Sequence, residues 1–378
     1  MFIPLYATVT DAEQSDVIDA LREELGAAER GRRSMMATSN ASPDEIKQAG
    51  GKLLAHYAGY WATWTIEVGS RAGLFAALHA AADGLTANEL ASRTGTDPLY
   101  VDVWCRNAYG AELLEREGER YRLSPAMAVV LLDRDSPAFG AGSAQGFVAL
   151  RDVMVGLRER IRTGERIWWD TAPREFVDAV AETSRPFYAR LLAFLGSRPE
   201  FRERLEQGAT VLEVGIGYGA GLVRLAERFP KARVIGTDGD AYSVEQARRA
   251  LATLGDRARV VHATFEDFAE REVADIAFIN ISLHEARDIA RAVASMRGAL
   301  RPGGAIVVSD FPYPDELAGL RTVPGRVMSG IQYFEASIDD QLLSARRYAE
   351  LLEQAGFVDI ETAEITPMHA VVTGRRAA

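Results

Sequence analysis

The stretch VLEVGIGYGAG at residues 211–221 limits what this chain can fold into more than any other part of it. Val211, Leu212 and Val214 have the character of a buried strand, and Gly215, Gly217 and Gly219 follow at intervals of two. Glycines so spaced admit positive φ and close approach of backbone to a ligand, which turns a strand-to-helix corner into a cradle. The helical run LVRLAERF stops at Pro230, and a second apolar strand, ARVIGTD, ends on Asp238, 19 residues after Gly219. That is close to the spacing at which a carboxylate takes ribose hydroxyls. The expected structure is the nucleoside-binding half of an α/β sheet.

Gly215, Gly217 and Ala220 also satisfy the loose dinucleotide pattern, so charge has to choose the nucleoside. A pyrophosphate needs backbone N–H groups and no nearby carboxylate, yet Glu213 stands two residues before the first glycine and no basic residue occurs until Arg224. Negative charge here suits a cation. S-adenosylmethionine (SAM) has a sulfonium, an ammonium and no phosphate; Glu213 is expected to hold its methionine end, directly or through water, while Asp238 takes the ribose.

The E-x-G-x-G-x-G of 213–219, the strand end at Asp238, the run ADIAFINISLHEARD at 274–288 and LRPGG at 300–304 resemble class I SAM-dependent methyltransferases. More closely, the chain is similar to the small-molecule O-methyltransferases of plant phenolic and bacterial natural-product chemistry, which carry an N-terminal winged-helix dimerisation domain. The resemblance implies an α/β fold with a Rossmann-like seven-stranded sheet at 207–378, preceded by an arm and linker (1–43), a mostly α-helical winged-helix domain (44–135) and a helical connector roofing the active site (136–206). It implies a homodimer through the N-terminal domain, with Tyr57, Tyr60, Trp61 and Trp64 in the subunit contact. Trp168, Trp169, Phe187 and Tyr188 become substrate-pocket candidates, ordinary packing being the alternative. The family usually places an aspartate at the adenine; here that position falls on Thr264, followed by Phe265, which either stacks on the ring or packs.

The remaining sequence restricts the setting. A formal charge of −11 and a pI near 5.2 disfavour nucleic acid or an anionic membrane as principal partner. The lone Cys105 rules out an intrachain disulfide, and MFIPLYATVT lacks a basic n-region before Asp11, so a cytoplasmic protein is expected. A helix is expected over 11–30 and another from Pro43, and Thr86 with Glu89 forms a capping box. Asp97 and Pro98 then start a helix expected to reach Leu114, and ERYRLSPAM supplies a wing-like strand. A winged helix raises the rival reading of a DNA-binding regulator, but five arginines face seven carboxylates between Gly84 and Arg122, the wrong balance for phosphate contacts.

In the catalytic half, Ser243 and Gln246 are expected to cap the helix that Gly255 ends, Asn280 lies near the carboxyl end of the strand ADIAFINIS, and His284 follows it. EARDIARAVASMRGAL reads as a helix, RPGG as a turn into a strand ending on Asp310, and FVDIETAEITPMHAVVTG as a closing antiparallel pair joined near Thr366 and Pro367. Methyl transfer to a hydroxyl requires alignment and removal of a proton, and a histidine just past a strand end is well placed to take it. The family places its catalytic histidine there, usually followed by aspartate and tryptophan; this chain has Glu285 and Ala286. The expected activity is methylation of a hydroxyl on a small aromatic metabolite with His284 as general base. Glu335, Asp339 and Asp340 are candidates to steady it, although QYFEASIDDQ reads more readily as a solvated acidic loop. Two alternatives share the fold: metal-assisted C-methylation of a 2-oxo acid, for which His284–Glu285 would supply two ligands, and SAM-dependent chemistry without methyl transfer. No histidine occurs between 285 and 368 to complete a ligand set, so no metal is expected.

Overall fold

The computed structural model describes Gly26, residues 41–167 and residues 174–378. The helix expected over 11–30 lies, apart from Gly26, outside them, as do Trp168 and Trp169. The chain divides into two compact units, residues 1–60 and 61–378, and helix α1 (Pro43–Arg71) carries the chain across the division. Among the described residues, no helix is long and apolar enough to cross a membrane.

The second unit begins with a small helical core. Helices α2 (Leu74–His79), α3 (Ala87–Thr94) and α4 (Pro98–Gly110) precede a hairpin of β1 (Glu115–Glu117) and β2 (Arg120–Arg122). The expected capping box closes: Thr86 Oγ1 accepts from the Glu89 N–H at 3.3 Å, and Glu89 accepts from the Thr86 N–H at 2.8 Å. Asp97 caps α4, which ends at Gly110, four residues before the expected Leu114. Trp104 stacks edge-on against Phe75 at 5.1 Å and donates to Thr65 O at 2.9 Å, fixing the last turns of α1 on this core. Tyr57, Tyr60 and Trp61 stay exposed on the single chain.

Three helices follow, α5 (Pro125–Leu132), α6 (Ala141–Ala149) and α7 (Arg151–Thr163), and then α8 (Arg174–Ser197) and α9 (Pro199–Gln207) lead into the sheet. Seven strands, β3 (Thr210–Val214), β4 (Arg233–Asp238), β5 (Ala258–His262), β6 (Ala274–Asn280), β7 (Leu300–Asp310), β8 (Phe357–Thr366) and β9 (His369–Arg376), lie in the order β5-β4-β3-β6-β7-β9-β8. All pairs are parallel except β7–β9 and β8–β9, as the closing hairpin required. The chain steps outward from β3 through β5 and then restarts on the other side at β6, so the order reverses between β3 and β6. Ligands of open α/β sheets bind in the crevice at that point, beyond the carboxyl ends of the strands.

Alternation along the strands divides the sheet into two apolar faces. Leu212, Val214, Ala277, Ile279, Ile306 and Val308 pack on one, and Val211, Phe278, Val307 and Val371 on the other with Tyr188 and Leu191 of α8. Several boundaries differ from the sequence reading. Asp240, not Ser243, caps helix α11 (Ala241–Leu251; α10 is Ala220–Arg228), because its carboxylate reaches the Ser243 N–H at 2.8 Å. Helix α12 starts only at Ile289, with Asp288 as its cap, leaving His284 in a short 3₁₀ turn, Leu283–Glu285. Strand β7 takes in the RPGG segment, with Gly303 at φ 75° absorbing the turn.

Candidate active site

The glycine cradle forms as its spacing implies: φ is 73° at Gly215, 53° at Gly217 and 80° at Gly219. A Cβ on Gly215 would come within 2.4 Å of Ser282 Oγ and 3.0 Å of Phe265 Cε1, whereas one on Gly217 would face open space. Asp238 organises the turn from the next strand, accepting the Gly217 N–H at 2.9 Å on one oxygen and the Asp240 N–H at 2.9 Å on the other. Each oxygen keeps a lone pair for a ribose hydroxyl. Thr264 is exposed and donates to Asp267 Oδ2 at 2.9 Å, while Phe265 is half-buried behind Gly215.

Glu213 is fully buried beneath this turn. Its Oε1 accepts the Tyr188 hydroxyl at 2.6 Å and its Oε2 has no partner. Burial pushes its carboxyl well above the usual range and the nearby Asp238 charge adds to the effect, against the Tyr188 bond, which lowers it. Burial likewise raises Asp238, against the backbone N–H bonds of Asp240 and Gly217. Two acids held this way are relieved best by a bound cation. Asn280, at the end of β6, is also buried, with Nδ2 unpartnered, as is Ser282 Oγ. Between them Ile281 takes φ 49°, a conformation a β-branched residue adopts only when its surroundings impose it; its N–H donates to Ser309 O at 2.7 Å.

A second polar group occupies the other face. His284 is 2% exposed; its Nδ1 lies 3.1 and 3.0 Å from the two carboxylate oxygens of Asp310, the last residue of β7. Tyr348, on helix α14 (Ala345–Gln354; α13 is Val323–Ser337), donates to Asp310 Oδ2 at 2.8 Å. His284 Nε2 points toward Glu335 Oε2 at 3.7 Å, an oxygen with no hydrogen-bond partner. Burial alone would lower the pKa of the ring, but Asp310 and Glu335 outweigh it and raise it to about 10. Glu335, 4% exposed, is raised to about 7 by burial, opposed by His284.

Among the described candidates, the structure therefore gathers Glu213, Gly215, Gly217, Gly219, Asp238 and Asn280 at one crevice and sets His284 beside it. Tyr188 stands against Glu213 and not in an open pocket. Its ring covers Gly221, where a Cβ would meet it at 2.2 Å. Phe187 belongs to an aromatic wall, 4.9 Å from Phe311, whose ring lies 6.4 Å from His284. The acidic segment read as a solvated loop is a helix as far as Ser337, and it buries Glu335; Asp339 alone behaves as solvated, exposed beside Arg166 at 2.8 Å. One donor atom each from His284, Glu285 and Glu335 lie within 4.8 Å of one another. Asp310 and Tyr348 escaped notice as site residues. A strand-terminal aspartate two strands from the glycine turn was the one available signal; nothing local marked the tyrosine.

Residues 211–304 match the family model of a methyltransferase domain. Trans-aconitate 2-methyltransferase of Azoarcus sp. (strain BH72) is 28% identical over 141 residues, 37% of this chain, and the chain spans only about half of it, 49%. The 3-amino-4-hydroxybenzoate 4-O-methyltransferase of Streptomyces cremeus is 26% identical over 294 residues, 71% of this chain and 74% of that protein. The fold is that of human N-acetylserotonin methyltransferase, solved in complex with SAM, with a TM-score of 0.60 at 17% identity over 90% of this chain and 99% of that one. Residues 211–304 are thus similar to a methyltransferase domain, and SAM is the cofactor that this likeness supports. The site fits it: Glu213 Oε2 is a buried acceptor lacking a donor, Asn280 Nδ2 a buried donor lacking an acceptor, and the crevice is acidic.

Proposed function

We propose that the protein transfers a methyl group from SAM to a hydroxyl of a small aromatic metabolite, with His284 as the base. The observation that carries this reading is the His284 ring held through Nδ1 by Asp310, with Nε2 free of any short bond, at the crevice where Glu213 and Asp238 await a cation. When bound, SAM supplies a methyl group on positively charged sulfur. Glu213 and Asn280 would hold its methionine end and Asp238 its ribose. Asp310 fixes the proton on Nδ1, so Nε2 is the atom that meets the acceptor hydroxyl. One further proton is shared between Nε2 and Glu335. On the ring, it leaves an imidazolium between two carboxylates, the form favoured at neutral pH by a pKa of about 10. On Glu335, whose carboxyl is raised to about 7, it leaves Nε2 bare and able to draw the proton from a phenol of pKa ~10. The aromatic wall of Phe187 and Phe311 suits a flat acceptor, and the Streptomyces relative is named for methylating a ring hydroxyl.

The exposed Tyr57, Tyr60 and Trp61 support a homodimer formed by a winged-helix N-terminal domain, and the lone buried Cys105 accords with a cytoplasmic setting. Light scattering at micromolar concentration tests the dimer; a monomer overturns it. The function is tested by a panel of phenols, catechols, 2-oxo acids and amines with methyl-labelled SAM, with and without chelator. Label on oxygen, insensitive to chelator, is the expected result. One observation favours a second reading: His284, Glu285 and Glu335 offer a divalent cation three donors, with Asp310 steadying the imidazole as carboxylates do behind metal-bound histidines. Label on carbon, lost with chelator, would establish it.

A further inference from the structure

His369, Ser309 and Asn280 form a buried chain that the proton chemistry at His284 does not use. The three side chains project from neighbouring strands on the same face as Glu213. Asn280 pairs with Ser309 across β6 and β7, and His369 opens β9 beside them. His369 Nε2 lies 2.8 Å from Ser309 Oγ, and Ser309 Oγ lies 2.6 Å from Asn280 Oδ1. All three residues are at most 2% exposed.

The direction of this chain follows from its end. His369 Nδ1 is buried and has no partner. A proton on Nδ1 would bury an orphan N–H, a rarer and costlier arrangement than an under-used acceptor lone pair, so the ring proton sits on Nε2. Burial and the nearby Arg190 lower the His369 pKa to about 3, so the ring is neutral and carries that single proton throughout the working range. His369 must then donate to Ser309. The serine's one proton passes on to Asn280 Oδ1, and the amide is left with Nδ2 turned away from the chain. Nδ2 lies near enough to Tyr188 to favour the ionised phenol, but it makes no well-formed hydrogen bond there.

Nδ2 is a pure donor with no acceptor, on the strand next to Glu213, whose Oε2 has no partner and becomes a pure acceptor when a bound cation ionises the carboxyl. The methionine end of SAM offers one group of each kind. We propose that His369 and Ser309 are positioning residues that lock the Asn280 amide with its NH₂ toward the methionine carboxylate, while Glu213 takes the ammonium. This rests on the cofactor reading given above. The lock works at a distance: neither His369 nor Ser309 needs to touch the ligand, yet removing either lets the amide turn its oxygen toward a carboxylate.

Calorimetric binding separates the parts. S-adenosylhomocysteine carries the amino-acid end, and 5′-methylthioadenosine lacks it. Ser309→Ala is expected to weaken S-adenosylhomocysteine about tenfold, as loss of a buried bond to a charged group does, and to leave methylthioadenosine within about twofold. His369→Leu should do the same to a smaller degree, and His369→Gln, which keeps a donor toward Ser309, should recover most of the loss. Equal weakening of both ligands would reduce the chain to a structural role and overturn the proposal, as would unchanged S-adenosylhomocysteine affinity in Ser309→Ala. If His369→Leu does not fold, Ser309→Ala decides alone, because it removes one hydroxyl and little volume. Failure of the wild-type protein to bind S-adenosylhomocysteine would instead sink the cofactor reading, so the two failures are distinct.

Discussion

The two faces of one sheet edge solve opposite electrostatic problems. Beneath the glycine turn, Glu213 and Asp238 are acids whose carboxyls burial raises, and the positive charge that would settle them belongs to the ligand. Across the sheet, Asp310 and Glu335 enclose an imidazole that the chain itself provides, and their charges lift it to about 10. An incomplete acidic site selects and holds a cation. A site already containing its own cation between two carboxylates is arranged to move a proton. On the proposed function, the same edge would bind a sulfonium and deprotonate an acceptor without either group of acids serving both ends.

If the division of labour is real, the faces should fail separately. The largest effect is expected for His284→Ala, which should lower kcat about 10²-fold or more while S-adenosylhomocysteine affinity stays within about twofold; parallel loss of binding would show that the faces are one unit. Next comes Glu213→Gln, which keeps a partner for Tyr188 but removes the charge. SAM affinity should fall about tenfold, measured by calorimetry, with kcat at saturation little changed. A third comparison uses pH. Removing the Glu335 charge disfavours the imidazolium, so in Glu335→Gln the ionisation that switches activity on should move to lower pH than in the wild type; a shift upward would mean that Glu335 does not act on His284. The smallest effect is on stability. The His284 pKa is raised on folding from 6.5 to about 10, so its contribution is complete below pH 6.5 and is lost as the pH rises through 10. Thermal unfolding should show a fall in Tm between those limits in the wild type that is shallower in His284→Ala.

Much of the acidic face was legible in the sequence because its parts are local. Glu213 and the three glycines lie within seven consecutive residues, and Asp238 ends the next strand, so a parallel βαβ unit brings them together without further information. Tyr188 was visible only as an aromatic in the connector. Its bond to Glu213 depends on how α8 lies across the Val211–Phe278 face, a matter of packing. The face around His284 was half legible. A histidine after a strand end has a recognisable position, but Asp310, Glu335 and Tyr348 lie 26, 51 and 64 residues further on and carry no mark of burial in their own neighbourhoods. Glu335 in particular sits in an acidic run whose composition suits solvent; one turn of α13 places it inside while Asp339, four residues later, stays out.

By itself the sequence determined the class of sheet, the location of its cradle, the sign of charge there and the histidine beside it, because strand periodicity, glycine φ and short βα connections act over a few residues. Only the tertiary structure decided which carboxylates reach that histidine, which polar atoms are left buried without a partner and which way the Asn280 amide faces. Those depend on strand register and helix docking, where groups from distant parts of the chain meet in a space closed to water, and there a single proton or amide orientation carries a free-energy cost that no local segment records.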